Sequence, residues 1–470
     1  MSEQPPAAAP PPPQLYGEYP DAGPPAGLRV GVSASLTRGP LRPAIVRLAL
    51  PAVGTTLFQV LFNITDTFWV GRTLGPTALA AVAVSSYTIW IMTSIGELLG
   101  VGLAAVASRR HGEGAPAAAA RATGTALWMA LALGLVVGGA GVAALPAIFE
   151  LMEVSGALAE IGREFLVIQL LGAPLVYGYF AVAASFRSAG DTRTPFVLLG
   201  VSVLLNLALD PALILGWGPL PVLGVYGAAL ATVLTRALAF IAGFWLLVRR
   251  GAVRPAFQPR VARTIATVGL PTTLTGVLFS LIYMFLARVT GGFGAAALAA
   301  LGVGHKIEGA SYMCTIGFGL AAEAVVGQNL GAGEPARARH AGWLTARIAA
   351  VPASTLAAVF LLAPAPLVRI FTDDPAVIAA AVLYLRTAAL AQLFIAYETV
   401  LESALGGAGY TLWPAVWTTA LNLSRIPLAA WAAARFGLIG VWWTLSVTAV
   451  GRGLVMAAMW RWGAWEHRRV

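Results

Sequence analysis

The chain has 470 residues, 58% of them hydrophobic and 11% charged, with a mean hydropathy of +0.79. A soluble domain of that length cannot cover so much apolar surface with so little charge, which excludes a water-soluble enzyme or scaffold. The net charge of +10 does not point to nucleic acid, because the basic residues flank apolar runs instead of clustering on one polar domain.

Residues 1–40 are rich in proline and alanine (PPAAAPPPP, then GPPAG) and read as a disordered tail without a cleavable signal peptide. Beyond it, apolar runs recur, each long enough to cross a hydrocarbon core of ~30 Å as a helix. They predict helices near 45–72, 79–107, 122–149, 161–184, 195–216, 225–248, 264–290, 296–325, 341–368, 377–405, 414–434 and 438–460. The alternating pattern of a membrane β-barrel is absent. Arginine sorts the loops. Twenty arginines lie in the tail, the even-numbered loops and the C-terminus, and six lie in the odd-numbered loops. The positive-inside rule then places both termini in the cytoplasm and the protein in the inner (plasma) membrane as a multi-pass chain.

The sequence also repeats at a period near 219 residues. LALPAVGTTLF (48–58) returns as VGLPTTLTGVLF (268–279), GPTALAAVAV (75–84) as GAAALAALGV (294–303), and GVGLAAVA (100–107) as GFGLAAEA (317–324). AGDTRTP (189–195) returns as AGYTLWP (408–414), and LNLALDP (205–211) as LNLSRIP (421–427). The expected fold is an all-α membrane protein of twelve transmembrane helices in two pseudo-symmetric six-helix lobes. These are an N-lobe, 41–248, and a C-lobe, 264–462, joined by an Arg-rich linker, 249–263, with a short C-terminal tail, 463–470. Six helices per repeat give parallel insertion of the halves and a substrate path between them, which is a transport architecture.

Catalysis finds no support. The only lysine, Lys306, follows His305, so there is no P-loop; no HExxH pair is present; and Cys314 is the only cysteine, so no intrachain disulfide forms. No cofactor or structural metal is expected. The informative residues are charges inside the membrane, each costing roughly 2.5–3.5 kcal/mol on insertion scales. Asp66 in helix 1, Asp210 in helix 5 and Thr232 in helix 6 fall at one depth, in the outer half of the bilayer. Asn206 shares a helix face with Asp210, and Asn63 shares one with Asp66. Pro211 cannot donate to the carbonyl of Leu207, which frees that oxygen for a cation or water. The plain alternative is a hydrogen-bond cluster that only glues helices. In the second half, His305, Lys306 and Glu308 lie in helix 8, and Glu398 and Glu402 in helix 10 are placed to face Lys306. These residues line a substrate cavity or form a structural salt-bridge network. Glu97 is either a substrate counter-ion or a partner of Arg236, and Arg425 and Arg452 neutralise the acids.

NITDTFWVGRTLGPTALAAV (63–82), FRSAGDTRTP (186–195), NLALDP (206–211), GAALAT (227–232) and VGQNLGAG (326–333) resemble the multidrug and toxic compound extrusion (MATE) family, over 41–462. The acidic first helix and the DTRTP loop resemble its DinF-like branch, and helix 7 lacks the acid found in the NorM-like branch. The resemblance implies a V-shaped pair of lobes and antiport of small organic, often cationic, compounds against protons or sodium ions. It also implies that Asp66, Asn206, Asp210 and Thr232 are the coupling site, where H+ or Na+ binds. The small molecules and the lipid bilayer are then the partners, nucleic acid is not, and the chain is expected as a monomer. A flippase for lipid-linked oligosaccharide or lipid, from the same wider superfamily, is the alternative; it should line its cavity with many cationic groups.

Overall fold

The structure, a computed structural model, describes residues 36–152, 154–218 and 221–468. The first lobe holds α1 (Leu41–Thr73), α2 (Pro76–Gly112), α3 (Pro116–Leu151), α4 (Ala157–Leu171 with Ala173–Ser188), α5 (Arg193–Leu215) and α6 (Gly224–Arg249). The second holds α7 (Pro259–Gly291), α8 (Ala295–Gly331), α9 (Pro335–Leu362), α10 (Pro375–Ala389 with Gln392–Gly407), α11 (Leu412–Phe436) and α12 (Leu438–Trp462). Among the described residues, nine of these are single helices long and apolar enough to cross a bilayer, and the two bent pairs, α4 and α10, each add one more. The twelfth, α11, carries LNLSR at mid-length and takes its place by packing lengthwise on α7 and α12. The twelve-helix, two-lobe expectation therefore holds.

The duplication is visible element by element. α1 and α7 both have 33 residues, and α2 and α8 both have 37. Pro51 and Pro271 interrupt α1 and α7; Pro211 and Pro427 interrupt α5 and α11. The bends match as well: α4 turns by 47° and α10 by 57°. In α4 the break falls at Gly172, just before Pro174, whose missing N–H leaves the carbonyl of Leu170 without its helical donor. In α10 no proline stands at the break; the Gln392 side chain donates to the Ala388 carbonyl at 3.4 Å across it. Helix ends overrun the predicted boundaries, as in α2, because polar ends such as SRRHG continue the helix beyond the apolar stretch.

The contacts between the lobes run from one end to about the middle of the helices. α1 runs beside α8 and α2 beside α7 and α8. Ile45, Leu48 and Ala49 pack with Phe318, Ala321, Ala322 and Val325. Thr56 Oγ1 donates to the Met313 carbonyl at 2.7 Å, and Thr273 Oγ1 to the Ser94 carbonyl at 3.0 Å. Glycines let the backbones touch: a Cβ at Gly102 would strike Ile265, one at Gly269 would strike Leu98, and one at Gly112 would strike Gln328. Towards the other end the same helices diverge, with Ile64, Phe68, Tyr87 and Trp90 exposed on one side and Leu281, Met284 and Leu298 on the other. The result is a V.

The closed end carries residues 36–40 and the segment that follows α12. Of the expected tail, 1–40, residues 1–35 lie outside the described residues. Leu36 is buried in the second lobe, and its carbonyl accepts from Asn329 Nδ2 at 3.3 Å and from Arg337 at 3.2 Å. Residues 36–40 are thus packed, not a free tail. Trp465 stacks on Trp460 with ring centroids 4.0 Å apart. The linker is pinned to α3: Arg254 N–H donates to the Ala120 carbonyl at 3.0 Å, and Thr125 Oγ1 to the Ala256 carbonyl at 3.2 Å.

Candidate cation-coupling site

The half of the first lobe away from the inter-lobe junction brings α1, α5 and α6 together around four polar side chains. Asp66 Oδ2 accepts from Thr232 Oγ1 at 2.8 Å. Asn206 Nδ2 donates to Asp210 Oδ1 at 2.9 Å, and both residues are fully buried. The Asp66 carboxyl also interacts with Asp210 and Asn206, which closes the set into one cluster. The four residues singled out from sequence are therefore neighbours in space.

Three acceptors in this cluster are left over. Asp66 Oδ1, Asp210 Oδ2 and Asn206 Oδ1 are buried and receive no hydrogen bond. Buried acceptors without donors are expensive, and two facing carboxylates resist being charged together. A proton held between the carboxyls removes the like charge and pairs one carboxyl oxygen with the other, leaving the Asn206 oxygen free. A sodium ion collecting the three oxygens resolves both difficulties, since it needs only oxygen ligands. Arg236 supplies a nearby positive charge. Its guanidinium donates to Gln59 Oε1 at 2.9 Å, lies 4.5 Å from the Phe62 ring centre, and acts electrostatically on Asp66. Asn63, expected beside Asp66, is exposed and makes no side-chain bond to the cluster among the described residues.

The second-lobe residues are arranged differently from expectation. Lys306 is exposed and takes no part in any ion pair among the described residues, so it does not neutralise Glu398 or Glu402. Arg452 Nε contacts Glu398 Oε1 at 3.1 Å instead. The reason is helical phase. Lys306 and Glu308 stand two residues apart, and only the Glu308 side of α8 faces α10. Glu308 accepts from Tyr384 at 2.5 Å and from Gln392 at 3.4 Å. Arg425 Nε donates to Thr448 Oγ1 at 2.8 Å, while His305 lies against Tyr283 with ring centres 4.5 Å apart. Glu402 sits within electrostatic range of Glu398 and Arg452.

Glu97 is not a partner of Arg236. Its cationic neighbour is Arg187, which also faces Glu323 across the junction of the lobes. Glu323, buried in α8, was missed in the sequence. Its signal was present in the repeat, where GVGLAAVA returns as GFGLAAEA and an acid replaces Val106.

A fold of this kind, with duplicated six-helix lobes closed at one end, is that of a multi-pass membrane transporter. The model of the MatE family matches residues 51–212 and again 271–431, one copy per lobe, and the chain belongs to that family, which is a transporter family and not an enzyme family. It is similar to a probable multidrug resistance protein NorM of Thermotoga maritima, 29% identical over 451 residues, covering 92% of this chain and 94% of the relative. A probable NorM of Deinococcus radiodurans is 31% identical over 452 residues, covering 89% and 95%. An FAD transporter of Shewanella oneidensis is 26% identical over 401 residues, covering 84% and 85%. Among solved structures, an outward-facing multidrug resistance MATE family transporter of the MOP superfamily superposes with a TM-score of 0.83 at 24% identity, covering 92% and 97%. A MOP superfamily transporter from Pyrococcus furiosus gives 0.84 at 23%, covering 93% and 99%.

Proposed function

We propose that this protein is a secondary active exporter of small organic compounds, coupled to inward movement of protons through Asp66 and Asp210. The observation that carries the reading is the trio of donor-less buried oxygens on Asp66, Asp210 and Asn206, held by three helices beside an open cleft. Relatives named as multidrug resistance proteins support the cargo class. The arginine asymmetry orients the closed end towards the cytoplasm, so the V is open to the outside of the inner membrane. In this state a proton enters from outside, bridges the two carboxyls and lets α1, α5 and α6 close together, releasing cargo outward. The inward-open state then returns the proton to the cytoplasm. Thr232 and Asn206 serve as neutral ligands that hold the carboxyls in register. The chain acts as a monomer, each lobe being complete in itself.

The test is dye efflux from proteoliposomes with a proton or a sodium gradient imposed separately. Proton-driven efflux that Asp66→Asn abolishes is the expected result. Efflux driven by sodium alone overturns the choice of ion, and full activity of Asp66→Asn under both gradients overturns the site.

A further inference from the structure

Among the described residues, the lysine deep within α8 stands outside every network described above. Lys306 is the sole lysine of the chain, lies well inside α8, and is exposed. Its direction follows from helical phase. Gly317 packs against the backbone of Val53 in α1, so that face of α8 looks at the opposite lobe. At 100° per residue, Ala310 and Lys306 fall on the face of Gly317, seven and eleven residues towards the open end. Lys306 therefore points across the cleft, ~16 Å along the axis from Gly317 and ~10 Å beyond Met313, whose carbonyl accepts from Thr56 of the opposite lobe. It does not face lipid, so extension of the side chain to a membrane surface does not explain it.

The facing wall is α1, which runs antiparallel. Counting eleven residues from Val53 reaches Ile64, flanked by Asn63 and Thr67, and all three are exposed. The acids nearby are committed elsewhere: Asp66 to Thr232, Glu308 to Tyr384 and Gln392, and Glu398 to Arg452. An ammonium at membrane depth without a counter-ion is costly, and in a cleft that admits solutes the cost is removed by an arriving anion.

We propose that Lys306 anchors an anionic group, a carboxylate or phosphate, of the amphiphilic compounds that pass through this cleft, with the Asn63 amide as a neutral donor on the facing wall. The cargo range then includes organic anions and zwitterions as well as cations. This rests on the export reading above, and it concerns the cleft, not the coupling site.

The experiment uses the full chain in two assays, with 5-carboxyfluorescein as the anionic probe and ethidium as the cationic one. Equilibrium binding of carboxyfluorescein is read by anisotropy, and transport of each dye is read in proteoliposomes under a proton gradient. Lys306→Gln should weaken carboxyfluorescein binding about tenfold, the loss of one charge-assisted hydrogen bond. Ethidium transport should persist, which shows that the variant is folded, and Lys306→Arg should retain anion binding. Equal loss of both dyes, or no carboxyfluorescein binding by the unsubstituted protein, overturns the proposal. So does a Lys306 effect seen only in vesicles containing phosphatidylglycerol, because the lysine then holds a lipid headgroup. If the unsubstituted protein moves neither dye yet binds carboxyfluorescein through Lys306, the export reading fails and the anion site stands.

Discussion

Asp66 and Asp210 come from helices far apart in sequence, and each keeps one buried oxygen without a donor. Asp66→Asn removes the shared-proton arrangement with almost no change of volume. Gradient-driven efflux in proteoliposomes should fall to the rate of empty vesicles while expression and melting temperature stay near those of the parent. Thr232→Val deletes one hydrogen bond to Asp66 and should lower efflux about tenfold, not abolish it. The pair Arg452 and Glu398 makes a different claim. Arg452→Met leaves a buried carboxylate uncompensated and should cost about 3–5 kcal/mol, whereas adding Glu398→Gln should recover most of it. Melting curves in detergent for the two variants decide this, and equal destabilisation would remove the pair from the account. The positions of the charges were legible in the sequence because acids inside apolar runs are rare. Their pairing was not: Lys306 and Arg452 were both available to Glu398, and helical phase, which turns the Glu308 side of α8 and not Lys306 towards α10, decides who meets whom.

At the scale of elements, the loop between α4 and α5 shows how a polar motif stabilises a helix start. Asp191 accepts from Thr194 N–H at 2.9 Å, from Thr194 Oγ1 at 2.6 Å and from Arg250 at 2.7 Å. Burial pushes its carboxyl up, but the Thr194 bonds and Arg250 outweigh burial and hold it below the usual carboxylate range. A depressed folded value contributes stability at neutral pH that is lost as pH falls through it. Asp191→Asn should lower stability by about 1 kcal/mol at pH 7 and by less near pH 3. Thermal melts at both pH values check this, and a constant difference would contradict it. The AGDTRTP motif and the apolar runs were legible as elements. The bend of α10 was not, because no proline or glycine stands at the break, and its matching position in the repeat was the only available signal.

For the whole molecule, the period near 219 residues already implied two lobes, and the family match falls on both copies. The open V was legible only as an implication of family resemblance, because part of the seam between the lobes is backbone against backbone at glycines, which leaves no apolar signature in the sequence. Gly269 lies against Leu98 so closely that a side chain there has no room. Gly269→Leu should pry the closed end apart. Spin labels at Arg193 and Ala336, in a chain with Cys314→Ala, should report longer distances across that end, and unchanged distances would show that the seam tolerates the added volume. Accessibility settles orientation. Cysteines placed at 255–257 should be shielded from a membrane-impermeant reagent in intact cells, and a cysteine at 218 should react.

Residues 36–40 continue covalently into α1, yet their carbonyls are gripped by Asn329 and Arg337 of the other lobe. They form a strap across the closed end, the end that the proposed transport cycle has to open. A strap sets a mechanical load: whatever pulls on it changes how readily the halves separate. A bulky tag fused close to Leu36 is therefore a poor neutral handle, since it would bias the resting state of the machine. The other terminus is fastened inside its own lobe by Trp465 on Trp460, and a tag there rides along as passive cargo.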